Sequence, residues 1–97
     1  MWSDPRRRNA ALRDRLRARM RAQGLPCGIC HRAIDYTLPA GDPMSYELDE
    51  RIPVARGGDP YDWDNLQPAH RICNERKGAR LAKPRARDLP RQTSREW

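Results

Sequence analysis

"AHRICNERKG", residues Ala69 to Gly78, decides how this chain is read. Pro68 directly precedes it and Pro84 follows, so a helix is predicted from Ala69 to about Ala82. On that helix His70 and Cys73 stand three residues apart and project from one face, as two ligands of one metal ion must. A tetrahedral site needs two more ligands. "PCGICH", Pro26 to His31, supplies them upstream as the Cys-x-x-Cys pair Cys27 and Cys30.

By itself the upstream string has three readings: zinc ligands, a redox disulfide or, with a histidine directly after it, a c-type haem attachment signal. The 97 residues hold 37% hydrophobic side chains, nine prolines and no phenylalanine, so the apolar core is small and another staple is expected. Haem needs an apolar pocket that this composition hardly offers. Three cysteines cannot all pair within one chain, and the opening residues MWSDPRRRNA contain neither a secretory leader's apolar stretch nor a membrane span. The chain is therefore expected in a reducing cytoplasm, where disulfides are rare. Structural Zn²⁺ is the expected occupant, because Cys27, Cys30, His70 and Cys73 form a Cys3His set that uses every cysteine.

Charge is unevenly spread. Residues 1–26 carry eight arginines against two aspartates, residues 27–78 six basic against nine acidic side chains, and residues 79–97 six basic against two acidic. Two basic arms flanking an acidic centre suit a polyanion such as DNA, since each neutralised phosphate releases counterions. Carboxylates near DNA repel it unless a divalent cation lies between them, which gives the acidic centre a purpose. A solvated, solubilising tail is the plainer explanation of each arm. His31, left over beside Cys30, is read as a surface or DNA-facing side chain.

Punctuation divides the chain into three parts. Over residues 1–24, Ser3, Asp4 and Pro5 give a helix start and Gly24 with Pro26 a stop. Between them Leu12, Leu16 and Met20 recur every fourth residue, predicting a basic amphipathic helix over about residues 6–22. Its narrow stripe is expected to dock weakly or to order on DNA, with Arg13, Arg17 and Arg21 as DNA contacts. Residues 25–82 form the compact domain. Within it residues 35–44 read as loop, Ser45–Asp49 and Ile52–Ala55 as a strand pair or strand-like turn, and Gly57–Asn65 as a turn-rich loop. Residues 83–97, rich in proline and arginine, are expected to be disordered.

The segment "ELDERIPVARGGDPYDWDNLQPAHRICNERKG", Glu47 to Gly78, resembles the HNH endonuclease family. The resemblance is carried by Asp49, Ile52-Pro53, Gly57-Gly58, Asn65-Leu66-Gln67 and Cys73-Asn74, and spans about residues 25–80. It implies a small α+β fold with a ββα-metal core, stapled here by the zinc. With a Cys-x-x-Cys ahead of that core, the chain looks most like the small free-standing HNH proteins of bacteriophages and prophages. Those commonly lie beside DNA-packaging genes, which implies terminase proteins as partners and the bacterial host cytoplasm as location. The basic arms have no counterpart in this motif.

Position by position, the resemblance makes Asp49 and Asn74 the ligands of a catalytic Mg²⁺ or Mn²⁺ and Asn65 the brace of the intervening loop. Arg76, Lys77 and Arg80 would clamp phosphates without reading sequence. The residue after Asp49 is Glu50, where the family normally carries a histidine base. Glu50 is accordingly a carboxylate base or a second carboxylate ligand. Two functions follow: a metal-dependent nuclease, favoured because Asp49, Asn65 and Asn74 are all present, and a zinc-stapled DNA-binding module that does not cleave. A zinc-binding protein-interaction module ranks below both, since it gives Asp49 and Asn74 no task.

Overall fold

The computed structural model describes residues 4–82. Residues 83–97, expected to be disordered, lie outside that range, as does Ser3 of the expected helix start. Two antiparallel strands, β1 (Tyr46–Glu50) and β2 (Leu66–His70), pack with two helices: α1 (Ala10–Gln23), in contact with both strands, and α2 (Arg71–Ala82), which follows β2 without a break and also touches both. This is the small α+β architecture expected for a ββα core preceded by a basic helix.

The helix start falls later than Ser3-Asp4-Pro5 suggests. Asp4 caps a single 3-10 turn, Pro5–Arg7, by accepting from the Arg6 amide. The helix proper begins after Asn9, whose side chain accepts from the Leu12 amide, and ends at Gly24, whose positive φ of 62° closes the last turn. The expectation of weak docking is corrected. Leu16 and Met20 are buried in the core with Leu48, Leu66, Ile34 and Tyr46, and polar anchors reinforce them. The Tyr46 hydroxyl donates to the Arg17 carbonyl at 2.9 Å. The Asn9 amide donates to the Tyr61 hydroxyl at 2.9 Å.

The strand pair also differs from expectation. Glu50 pairs with Leu66 and Tyr46 with His70, so the partner of β1 is Leu66–His70 and not Ile52–Ala55. Ile52–Ala55 instead leads into a 3-10 turn, Val54–Arg56, with Pro53 at its cap. Every residue of β2 is buried, so it has no polar and apolar alternation to betray it as a strand. Helix α2 begins at Arg71 and not at Ala69, because loop carbonyls satisfy its first amides: Arg71 donates to Ser45 and Ile72 to Pro43, each at 2.8 Å. No capping side chain is needed there, so none marks the start.

Asn65 fastens the connection between the strands. Its Oδ1 accepts from the Ile52 amide at 2.9 Å, and its Nδ2 donates to the carbonyls of Ile52 and Asp59 at 3.1 Å each. Gly58 lies so close to the Ile52 carbonyl and to Asn65 that a Cβ there would overlap them, which accounts for glycine at that position.

Candidate active site

The two Cys-x-x-Cys sulfurs and the His70-Cys73 pair converge. The ligand atoms of Cys27, Cys30, His70 and Cys73 all lie within 4.8 Å of one another. His70 is the last residue of β2 and Cys73 lies in the first turn of α2, so the pair comes from a strand–helix junction rather than from one helical face. His70 Nδ1 stands 3.3 Å from Cys30 Sγ and 3.7 Å from Cys73 Sγ. A zinc tetrahedron with thiolate and imidazole arms has edges of about 3.5 to 3.8 Å; the two Nδ1 distances lie close to these, and the widest pair is within 4.8 Å. The Ala33 carbonyl, 3.0 Å from His70 Nε2, can only accept, so that nitrogen carries the proton and Nδ1 keeps its lone pair for a metal.

The environment pushes the thiols apart in proton affinity. Burial would raise Cys27, but amide donors, among them the Cys30 and Ile29 N–H groups, bring its pKa down to about 6. Cys73 is pushed up to about 11 by burial and by the neighbouring sulfurs. A cation among them removes that repulsion, and soft sulfur with one imidazole suits Zn²⁺.

A second centre lies between β1 and α2. Asp49 is buried, and its Oδ2 accepts from Lys77 Nζ at 2.7 Å and from Gln67 Nε2 at 2.8 Å. Lys77 also donates to the Glu50 carbonyl. Asn74 donates from Nδ2 to Glu47 Oε1 at 2.9 Å. Asp49, Glu50, Asn74 and Lys77 line one cavity of about 100 Å³. Among the described residues, neither Oδ1 of Asp49 nor Oδ1 of Asn74 takes a hydrogen bond. Asp49 and Asn74 each bring a hard oxygen donor to the lining of this small cavity, the donor type of Mg²⁺ or Mn²⁺, which are held by few protein oxygens and keep several waters.

Glu50, the last residue of β1, is held from the side of α1. Arg13 Nη2 donates to its Oε2 at 2.7 Å, and Arg6 donates to it from Nε at 3.2 and 3.1 Å and from Nη2 at 2.9 Å. Both carboxylate oxygens are therefore engaged by guanidinium. Arg13, expected to contact DNA, is buried within the fold, where it also donates to the Pro60 carbonyl at 2.6 Å. Lys77, expected to clamp phosphate, is turned inward to Asp49 because an unpaired buried carboxylate needs a cation. Arg76 and Arg80 are exposed on α2. Arg17 and Arg21 line a groove of about 450 Å³ between α1 and β1.

Three members of this site went unread in the sequence. Gln67 orients Asp49 and stands inside the quoted Asn-Leu-Gln string. Glu47 shares its strand face with Asp49, two residues away. Arg6 lies 44 residues from Glu50 with nothing local to connect them.

A family model for the HNH endonuclease matches residues 27–80, more than half of the chain. Together with the ββα core and the Cys3His cluster, that match identifies the class: the chain belongs to the HNH endonuclease family. Neither curated proteins nor solved structures gave a match.

Proposed function

We propose that this protein is a divalent-cation-dependent endonuclease that hydrolyses DNA phosphodiester bonds. The observation that carries the reading is that Asp49 and Asn74, 25 positions apart, present their side chains to one cavity beside Glu50 and Lys77. Asp49 and Asn74 would hold the Mg²⁺ or Mn²⁺, which when bound neutralises charge on the phosphate and on the leaving 3′ oxygen. Lys77 and Gln67 fix the Asp49 carboxylate through its other oxygen. Glu50 would accept the proton of the attacking water once one of its oxygens is released from the arginines that hold both. Arg76 and Arg80, exposed along α2, would bind flanking phosphates irrespective of base sequence. Zinc at Cys27, Cys30, His70 and Cys73 ties the N-terminal loop to the β2–α2 junction, holding Asn74 and Lys77 against β1.

A second reading has its own observation. Asp49 is already neutralised by Lys77, and Glu50 by two arginines, which suits a zinc-stapled DNA-binding module that does not cleave. A bacteriophage setting, terminase partners and the host cytoplasm belong to the nuclease reading and rest on the likeness to small free-standing HNH proteins. Among the described residues no helix is long and apolar enough to cross a membrane.

A plasmid-nicking assay on zinc-loaded protein with no added metal, with Mg²⁺ and with Mn²⁺ separates the two readings. The nuclease nicks with either metal and not without added metal, and Asp49→Ala and Asn74→Ala abolish nicking while zinc content and DNA binding persist. Metal-independent, salt-sensitive DNA binding without nicking supports the module.

A further inference from the structure

Arg6 occupies a position that neither the motif nor the amphipathic pattern of α1 assigns. It sits on the 3-10 turn ahead of α1 and lines both the groove between α1 and β1 and the small cavity that holds Asp49 and Asn74. Glu50 and Asn74 also line both, so the two spaces meet at these three side chains. A substrate strand lying along the groove past Arg21 and Arg17 would bring a phosphate to that junction.

The two arginines on Glu50 are not equivalent. Arg13 has a side chain only 8% exposed and is tied as well to the Pro60 carbonyl, so it cannot leave without opening the fold. Arg6 is 39% exposed, and among the described residues its side-chain partners are Glu50 and the partly exposed Asp4, 3.3 Å away. One carboxylate needs only one guanidinium for charge balance, and Arg13 already supplies it. Asp4 offsets part of the remaining charge on Arg6, but at an exposed edge where solvent and salt screen it.

We propose that Arg6 is a further catalytic residue, whose guanidinium transfers from Glu50 to the scissile phosphate when DNA enters the groove. The inference rests on the nuclease reading for its chemistry, and on the geometry of the Arg6–Glu50–Arg13 triad for the transfer itself. The exchange does two things at once. Arg6 presents its planar fork to the phosphate oxygens, where negative charge concentrates as the bond to water forms. Glu50 keeps Arg13 on Oε2 and is left with a bare Oε1, the oxygen on which Arg6 Nη2 had donated. That oxygen then accepts a proton from the attacking water as the new P–O bond forms. The P–O3′ bond breaks, its electron pair stays on O3′, and O3′ takes a proton from solvent. The base is thus armed only when a phosphate is present to draw Arg6 away.

The test uses the full chain with Arg6→Ala and Arg6→Lys. Both variants should keep their zinc and melt as the parent does, since Arg13 still satisfies Glu50. With Mg²⁺, Arg6→Ala should lower kcat about 100-fold, an effect larger than the rise in KM from the lost phosphate contact, and Arg6→Lys should recover only part of it. Binding of a labelled duplex without added Mg²⁺, in a chelator-free buffer that leaves the zinc in place, supplies a readout independent of cleavage. There Arg6→Ala should reduce the slope of log affinity against log salt by about one, and Arg6→Lys should restore it. An unchanged slope, or turnover equal to or above the parent's, overturns the proposal. If the parent never nicks in any metal, the nuclease reading fails, and the salt slope alone then decides whether Arg6 moves to phosphate.

Discussion

Arg13 Nη2 lies 2.7 Å from Glu50 Oε2, and the two side chains, 8% and 6% exposed, form a buried ion pair joining α1 to the end of β1. Removing the arginine leaves a buried carboxylate with only the half-exposed Arg6 as partner. Arg13→Ala should therefore lower the unfolding free energy by about 3 kcal/mol, measured by urea denaturation with zinc present. Deleting residues 1–24 should unfold the domain, because Leu16 and Met20 leave the core along with Arg13. A folded, zinc-loaded truncate would show that α1 is dispensable.

The zinc cluster makes a second expectation. A single zinc per chain should be found by elemental analysis, and Cys73→Ala or a strong chelator should unfold the domain, since structural zinc contributes on the order of 10 kcal/mol in small modules. His70→Cys should keep both metal and fold. His70 reaches the cluster through Nδ1, the nearer ring nitrogen, so a cysteine side chain from the same backbone position spans a comparable distance. Folded protein with no zinc would remove the staple from the account.

How much of this was legible in the sequence depends on whether the signal was local. Cys27, Cys30, His70 and Cys73 could be grouped by spacing alone, because four ligands of one type of ion must converge wherever the chain carries them. The element bearing His70 could not. Pro68 argues for a helix start, yet it sits in a strand opposite Leu48, its missing N–H being no loss at the outer edge of a two-stranded ribbon. Asp49 and Glu50 were found through the motif, but their partners lie far off. Lys77 and Arg6 reach them from α2 and from the N-terminal arm, and a charge run such as Arg6-Arg7-Arg8 reads as a solvated face whichever member turns inward. Periodicity showed the apolar stripe of α1 and hid the anchors at Asn9, Arg13 and Arg17, where polar groups dock it.

DNA binding should follow the exposed arginines. Arg76→Gln with Arg80→Gln should lower the salt slope by about two while leaving zinc content and thermal stability in place, because both side chains point to solvent on α2. Affinity should change equally for duplexes of unrelated sequence, since phosphate contacts carry no base information. Fluorescence anisotropy across a salt series checks both points. A loss confined to one sequence would indicate base contacts in their place.

The last expectation concerns Glu50, where a histidine would restore the family's usual base. Taken alone, the motif suggests that Glu50→His raises activity. The structure points the other way, because the carboxylate is the common anion for Arg6 and Arg13, and a neutral imidazole leaves Arg13 buried without a counter-charge. The substitution should cost about 3 kcal/mol of stability, and nicking at neutral pH should not rise. Glu50→Gln separates stability from chemistry more cleanly. The amide keeps one oxygen able to accept from Arg13 and nearly the same shape, so its stability loss should be smaller than that of Glu50→His. It cannot take a proton from water, so nicking should fall by a factor of about 10² to 10⁴ with Mg²⁺ and DNA affinity little changed. Thermal melts and nicking rates for the two variants, run side by side, decide the matter. Should Glu50→Gln nick at the parent's rate, Glu50 is a strut that docks α1, and the proton must go to another group.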